Sequence, residues 1–83
     1  MPFHVYVLHA IRANKIYIGF TANLQQRLKS HDELATKGWT IKFRPWVLVH
    51  AEVFQTKAEA LKREKELKSA RGRNFIRIHI LHQ

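Results

Sequence analysis

Two short apolar runs near the start of the chain restrict its fold more than any other feature. Phe3 to Ala10 is almost unbroken in its hydrophobicity and includes Val5, Tyr6 and Val7. Ile16-Tyr17-Ile18-Gly19-Phe20 follows after the polar link Arg12-Ala13-Asn14-Lys15. Runs this short, rich in β-branched and aromatic residues, read as strands, and a short polar link containing a turn-former joins them as a hairpin. If the hairpin loop holds two or four residues, every register pairs even positions with odd ones, and Tyr6 and Tyr17 share a sheet face. An odd loop would separate them. Gly19, two residues beyond Tyr17 on the same face, would then leave an open floor above its strand.

The rest of the chain adds one strand and several helices. Thr21 or Asn23 can cap a first helix, and Gly38 is a natural stop for it. Trp39 to Pro45 reads as a loop or an approach to a strand, and the alternating, valine-rich Trp46 to Phe54 as the third strand. Thr56-Lys57-Ala58-Glu59 forms a capping box that opens a second helix, with Gly72 expected to end it. Phe75 to Leu81 is read as a last helix, although its isoleucines would also suit a strand. The order is β-β-α-β-α-α, without repeats or linkers, which makes the chain a single α+β domain over residues 1–83.

Charge narrows the choice of partner. Fifteen Lys and Arg stand against six Asp and Glu, a formal net charge of +9. Such an excess favours a polyanion, nucleic acid before anionic membrane, because no basic amphipathic helix with a large apolar face is evident. The absence of cysteine excludes a disulfide scaffold, a thiolate zinc site and a thiol nucleophile. No signal-peptide pattern or membrane span is read, and the expected location is the cytoplasm. None of this distinguishes binding nucleic acid from cutting it.

Several polar residues occupy positions that a plain fold would give to apolar ones. Projected on a helix, Leu24, Leu28, Leu34 and Ala35 form one stripe, and Arg27 and His31 lie inside it, four residues apart. Singly, each is best read as packing: a snorkelling arginine, and a histidine hydrogen-bonded at the core margin. Together they suggest a phosphate clamp with a nearby donor. In the second helix Ala60, Leu61 and Leu67 mark the buried face, Glu59 and Glu66 point away, and Glu64 lies within the apolar stripe with Lys68 one turn on. A carboxylate facing a core is costly unless paired or bound to a cation. Glu64 is therefore either half of a buried ion pair, with Lys68 or Arg27, or a metal ligand. The two tyrosines are either packed aromatics or phenols able to accept a proton once a nearby cation lowers their pKa. His79-x-x-His82 lacks further ligands and is read as structural. The basic run Lys62, Arg63, Lys65, Lys68, Arg71, Arg73, Arg77 is by default a solvated surface whose density suits phosphate contacts.

Taken in order, these residues resemble the GIY-YIG nuclease superfamily, the fold that also forms the N-terminal domain of the excinuclease C subunit. Val5-Tyr6-Val7 stands at the first motif, matching literally only at its tyrosine, and Tyr17-Ile18-Gly19 matches the second motif fully. Thr21, Leu24, Arg27 and His31 look like the first-helix pattern, and the segment from Ala60 to Lys68 looks like the catalytic-glutamate helix. The similarity runs from about Phe3 to Ile78 and looks closest to small bacterial single-domain members.

The resemblance implies a central three-stranded antiparallel sheet flanked by helices, and a DNA endonuclease, expected to be structure-selective and linked to repair or recombination. It implies one divalent ion, Mg²⁺ or Mn²⁺, held by Glu64, with no small-molecule cofactor and duplex or branched DNA as partner. Arg27 would hold the scissile phosphate, Tyr6 is favoured as general base with Tyr17 orienting water or phosphate, and His31 would hydrogen-bond the base or the phosphate. Gly19 would support the site structurally. Nucleic-acid contacts are expected from Arg27, Lys62, Arg63, Lys68, Arg71, Arg73 and Asn74, the last equally suited to a helix cap. Phe20 stands where excinuclease relatives carry a lysine, so one cationic helper is missing. The alternative is a non-catalytic nucleic-acid-binding module of the same fold.

Overall fold

The computed structural model describes residues 2–29 and 45–83. The expected roles of His31, Leu34, Ala35 and Gly38 lie outside the described residues. Strands β1 (Phe3–Ala10) and β2 (Lys15–Thr21) form the expected hairpin, and β3 (Trp46–Phe54) pairs with the other edge of β1. All pairings are antiparallel, in the order β2-β1-β3.

The hairpin loop spans residues 11–14, an even number, and its register sets Tyr6 opposite Gly19 and Leu8 opposite Tyr17. Asn14 closes the turn in the left-handed region, at φ 51°, a conformation that asparagine tolerates better than most residues. Its side chain is tied down. Asn14 Oδ1 lies 2.9 Å from His9 Nε2 and accepts from Arg77 Nη1 at 3.1 Å and Gln83 Nε2 at 2.8 Å. The last segment of the chain thereby fixes the first turn.

The unbroken hydrophobicity of β1 has a direct cause: both faces of this central strand are covered. Val5 and Val7 join Ile16 and Ile18 against Ala60, Leu67 and Ile76 on one face. Tyr6, Leu8 and Ala10 join Trp46 on the other, with Tyr17, Leu24 and Leu28 packed around them. A register shift between Val7 and Leu8 places one extra residue in β3, a bulge that lets the long strand bend across β1.

Helix α1 (Leu24–Lys29) begins at Asn23, whose Oδ1 accepts from Gln26 N at 3.1 Å. Thr21, the other expected cap, accepts from Asn23 N at 3.1 Å and shapes the turn before it. Helix α2 (Lys57–Lys68) opens with the expected capping box: Thr56 Oγ1 accepts from Glu59 N, and the Glu59 carboxylate accepts from Thr56 N, each at 3.2 Å. Its buried residues are Ala60 and Leu67, whereas Leu61, expected on that face, is 40% exposed. The buried stripe is narrower than the apolar one because the sheet meets α2 on one side only.

Gly72 does not end α2. Ser69 does, with extended backbone angles, its N–H and hydroxyl both donating to the Glu66 carbonyl. The same hydroxyl accepts from Gly72 N at 3.1 Å and so caps α3 (Ala70–Phe75). A serine can serve both ends because its hydroxyl donates and accepts. The last helix therefore starts earlier than Phe75 and continues into a π-turn over Ile76–Ile80, closed by Leu81 N donating to Ile76 O at 2.9 Å.

One ion pair ties α2 to β3. Arg63 donates to both Glu52 oxygens, at 2.9 and 3.1 Å, and His50 Nε2 lies 2.7 Å from Glu52 Oε2. Burial alone would raise the Glu52 pKa, but hydrogen bonds from Arg63 and then His50 outweigh it and hold the carboxyl below its ordinary value. A folded-state pKa below the unfolded one stabilises the fold above the unfolded value, and the gain disappears as pH falls through the folded value. Glu52→Gln should therefore be less stable than the parent at neutral pH. Its deficit in urea midpoint should vanish as the carboxyl protonates on acidification; a deficit independent of pH would refute this account.

Candidate active site

A cleft of about 370 Å³ opens beside β2, lined among others by Tyr6, Tyr17, Gly19, Thr21, Arg27, Glu64 and Lys68. Three separate elements supply its polar groups: the hairpin gives both phenols, α1 gives Arg27, and α2 gives Glu64 and Lys68. Four of the five residues expected to be catalytic thus line one cavity, and the fifth, His31, lies outside the described residues.

The phenols stack, with ring centroids 6.2 Å apart and planes inclined by 24°, and Tyr17 meets Trp46 edge-on at 6.3 Å. Gly19 has a different part from the one its sequence position suggested. It leaves no open floor, because the Tyr6 ring lies over it: a Cβ there would sit 2.6 Å from the Tyr6 hydroxyl oxygen. The missing side chain is what admits the phenol.

The two tyrosines differ in enclosure. Tyr6 is 1% exposed and Tyr17 half-buried. Burial drives the Tyr6 pKa well above the ordinary tyrosine range, the neighbouring Tyr17 adds to the rise, Arg27 opposes it, and Glu64 adds a smaller increase. A phenol in this setting keeps its proton across the neutral range.

Among the described residues Glu64 is the single carboxylate lining the cleft, with its side chain only 16% exposed. Lys68, one turn further along α2, places Nζ 3.6 Å from Glu64 Oε1. Both sequence-derived alternatives for Glu64 therefore bear on one place: it is paired with Lys68, and it faces the cleft with Arg27. No cluster of three or more His, Cys, Asp or Glu exists among the described residues. A lone carboxylate oxygen donor is still a fitting protein contribution to Mg²⁺ or Mn²⁺, hard ions that keep water in their shell and take further oxygens from a phosphate.

The expected nucleic-acid residues divide between two flanks of α2. Lys68 lines the cleft, while Lys62, Arg63 and Arg71 line a separate groove of about 600 Å³ with Phe75. Arg63 is bound to Glu52 and lies 5.9 Å above the Phe75 ring, which gives it a packing role. Arg73 donates from Nε to the Lys68 carbonyl at 3.2 Å, close to the end of α2. Asn74 is exposed inside α3, away from the cleft lining, and Ser69 caps that helix instead. Thr21, expected as a cap candidate and as part of the first-helix pattern, lines both the cleft and an adjoining recess shared with Asn23, Gln26 and Arg27. Sequence reasoning missed Glu52, whose place on the same strand parity as Phe54 would have put it on the helix-covered face.

Residues 2–76 match the model of the GIY-YIG catalytic domain, and the chain belongs to that family. It is 36% identical over 66 residues to a UPF0213 protein of Staphylococcus haemolyticus, spanning 80% of this chain and 79% of the relative. A UPF0213 protein of Bacillus velezensis is 40% identical over 65 residues, 78% of this chain and 66% of that one. The solution NMR structure of a UPF0213 protein from Bacillus halodurans superposes with a TM-score of 0.57 at 29% identity, covering 92% of this chain and 82% of the other. The three-stranded antiparallel sheet with flanking helices is thus the family fold. No helix among the described residues is long and apolar enough to cross a membrane.

Proposed function

We propose that this chain is a metal-dependent endonuclease that hydrolyses DNA phosphodiester bonds. The observation that carries the reading is the inward Glu64 carboxylate in a cleft it shares with Arg27 and two phenols. Membership of a family described as a catalytic domain supports the same conclusion.

Each residue has a distinct task. Glu64 would hold the single Mg²⁺ or Mn²⁺ ion, which when bound polarises the phosphoryl group and offsets charge on the leaving oxygen. Arg27 offers a planar, permanently charged fork to the non-bridging oxygens of the scissile phosphate and stabilises the charge that builds there. The sequence favoured Tyr6 as general base. Its enclosure favours the opposite division of labour: Tyr17, half-buried in the cleft, would pass its own phenolic proton to solvent and then take one from the attacking water, while Tyr6 would brace it from beneath. His31 keeps the role that the resemblance gives it, a hydrogen bond to the base or the phosphate. The net charge of +9 gathers the polyanionic substrate with a strong dependence on salt.

The test compares supercoiled plasmid and branched oligonucleotides, with Mg²⁺ and with chelator, for the parent and Arg27→Ala. Cleavage should require the metal, should favour the branched DNA, and should fall on the order of a hundredfold or more in the variant. DNA binding by both proteins with no cleavage by either would leave a non-catalytic binding module. Cleavage by Arg27→Ala at the parental rate would remove Arg27 from the site.

A further inference from the structure

Lys68 stands where it would conflict with the ion that Glu64 is proposed to hold. The two side chains are one helical turn apart, with Nζ 3.6 Å from Oε1, and their exposures differ: 49% for Lys68 and 16% for Glu64. The carboxylate is the more enclosed of the two, whereas the ammonium sits on a four-carbon stem able to swing into solvent. Among the described residues, the cleft lining carries one negative charge, Glu64, and two positive ones, Arg27 and Lys68. A divalent ion entering beside Glu64 would leave three cationic centres around one carboxylate, an arrangement that only an incoming anion relieves.

We propose that Lys68 is a placeholder cation that couples metal binding to nucleic-acid binding. Before the metal arrives, Lys68 neutralises the enclosed Glu64 carboxylate, so the cleft holds no unpaired buried charge. When a divalent ion takes that carboxylate, Lys68 is released and its charge is met by a phosphate of the DNA. Metal and DNA therefore strengthen one another's binding, and by linkage the effect is reciprocal. Lys68 also supplies, from α2, a cation next to the phosphate in a chain that has Phe20 after its Tyr-Ile-Gly motif. The inference rests on the proposed role of Glu64, and the controls separate the two.

The test reads Mn²⁺ affinity directly, from the electron paramagnetic resonance signal of the free ion, without DNA. Lys68→Met should bind Mn²⁺ about threefold more tightly than the parent, the expected scale for removing a partly exposed competing ion pair. Lys65→Met removes the same charge from an exposed neighbouring position on α2 and should leave the affinity unchanged. Adding branched DNA with a phosphorothioate backbone should tighten Mn²⁺ binding in the parent, and that increment should shrink in Lys68→Met. Equal affinities for the parent and Lys68→Met, or an equal gain in Lys65→Met, would overturn the placeholder role provided Glu64→Gln still abolishes Mn²⁺ binding. If Glu64→Gln binds Mn²⁺ like the parent, the site assignment itself falls and the coupling with it. Lys68 is a surface residue at the end of α2, and circular dichroism should show both lysine variants folded.

Discussion

Glu64→Gln should abolish cleavage of branched DNA while leaving the protein folded and still able to bind DNA. The substitution keeps the shape of the side chain and removes the charge, so the loss reports on the metal contact rather than on packing. Removing one strong electrostatic stabiliser of a transition state typically lowers turnover on the order of 10²–10³-fold, and here the same change also removes the only carboxylate that the described residues bring to the cleft lining. Stability should move little. A carboxylate with a 16% exposed side chain carries a partial desolvation cost, offset by a single ion pair at 3.6 Å, and replacing it with a neutral amide removes both. The measurement is single-turnover cleavage at saturating Mg²⁺ beside a urea melt. Turnover within a few-fold of the parent would remove Glu64 from the mechanism. Loss of turnover together with collapse of the fold would assign it a structural role instead.

Gly72→Ala should be among the most destabilising single methyl additions the chain can receive. In an ordinary helix this exchange is favourable by about 1 kcal/mol, because glycine is the poorer helix former. Here the sign reverses. A Cβ on Gly72 would fall on the Glu66 carbonyl oxygen and 2.5 Å from the Leu67 Cα. Both neighbours are backbone and cannot rotate away, so α3 must move off the end of α2. That movement would also strain the Ser69 hydroxyl bonds that join the two helices, and Ile76, which is fully buried, is drawn into the core just beyond them. Overpacking of this kind costs about 1–3 kcal/mol, and with each kcal/mol worth about 4–8 °C in a domain of this size, the melting temperature should drop by about 4–24 °C. A thermal melt settles it; a variant as stable as the parent would mean that the helix corner is loosely packed.

Much of this architecture was legible because local signals and tertiary demands agree. The hairpin follows from strand periodicity, and the shared face of the two tyrosines follows once its loop is even; the even count itself came from the register of β1 with β2. The capping box located the start of α2 to the residue. What failed were positions whose role depends on a partner far away in the chain. Gly72 looks like a helix stop because glycine commonly is one, but its need arises from the close approach of Glu66 and Leu67. Gly19 looked like empty space, and the space belongs to Tyr6, thirteen positions earlier. Arg63 looked like one more surface cation until Glu52 was placed beside it by the pairing of β3 with β1. The site itself was legible for a different reason: Arg27 and Glu64 each stood in a stripe that packing would have given to an apolar side chain, and such exceptions mark either a pairing or a function.

The central strand carries a consequence for how this cleft can change. β1 is the common wall of both apolar clusters, with Val5 and Val7 serving one and Tyr6 and Leu8 the other. Tyr6 is nearly fully buried in one of them, between two residues committed to the other, so an alteration of its side chain disturbs the core as well as the cleft. Tyr17 and Arg27 stand on an edge strand and on a helix with no fully buried residue. Variation in substrate preference should accumulate on that outer rim, while the inner phenol stays locked to the survival of the fold.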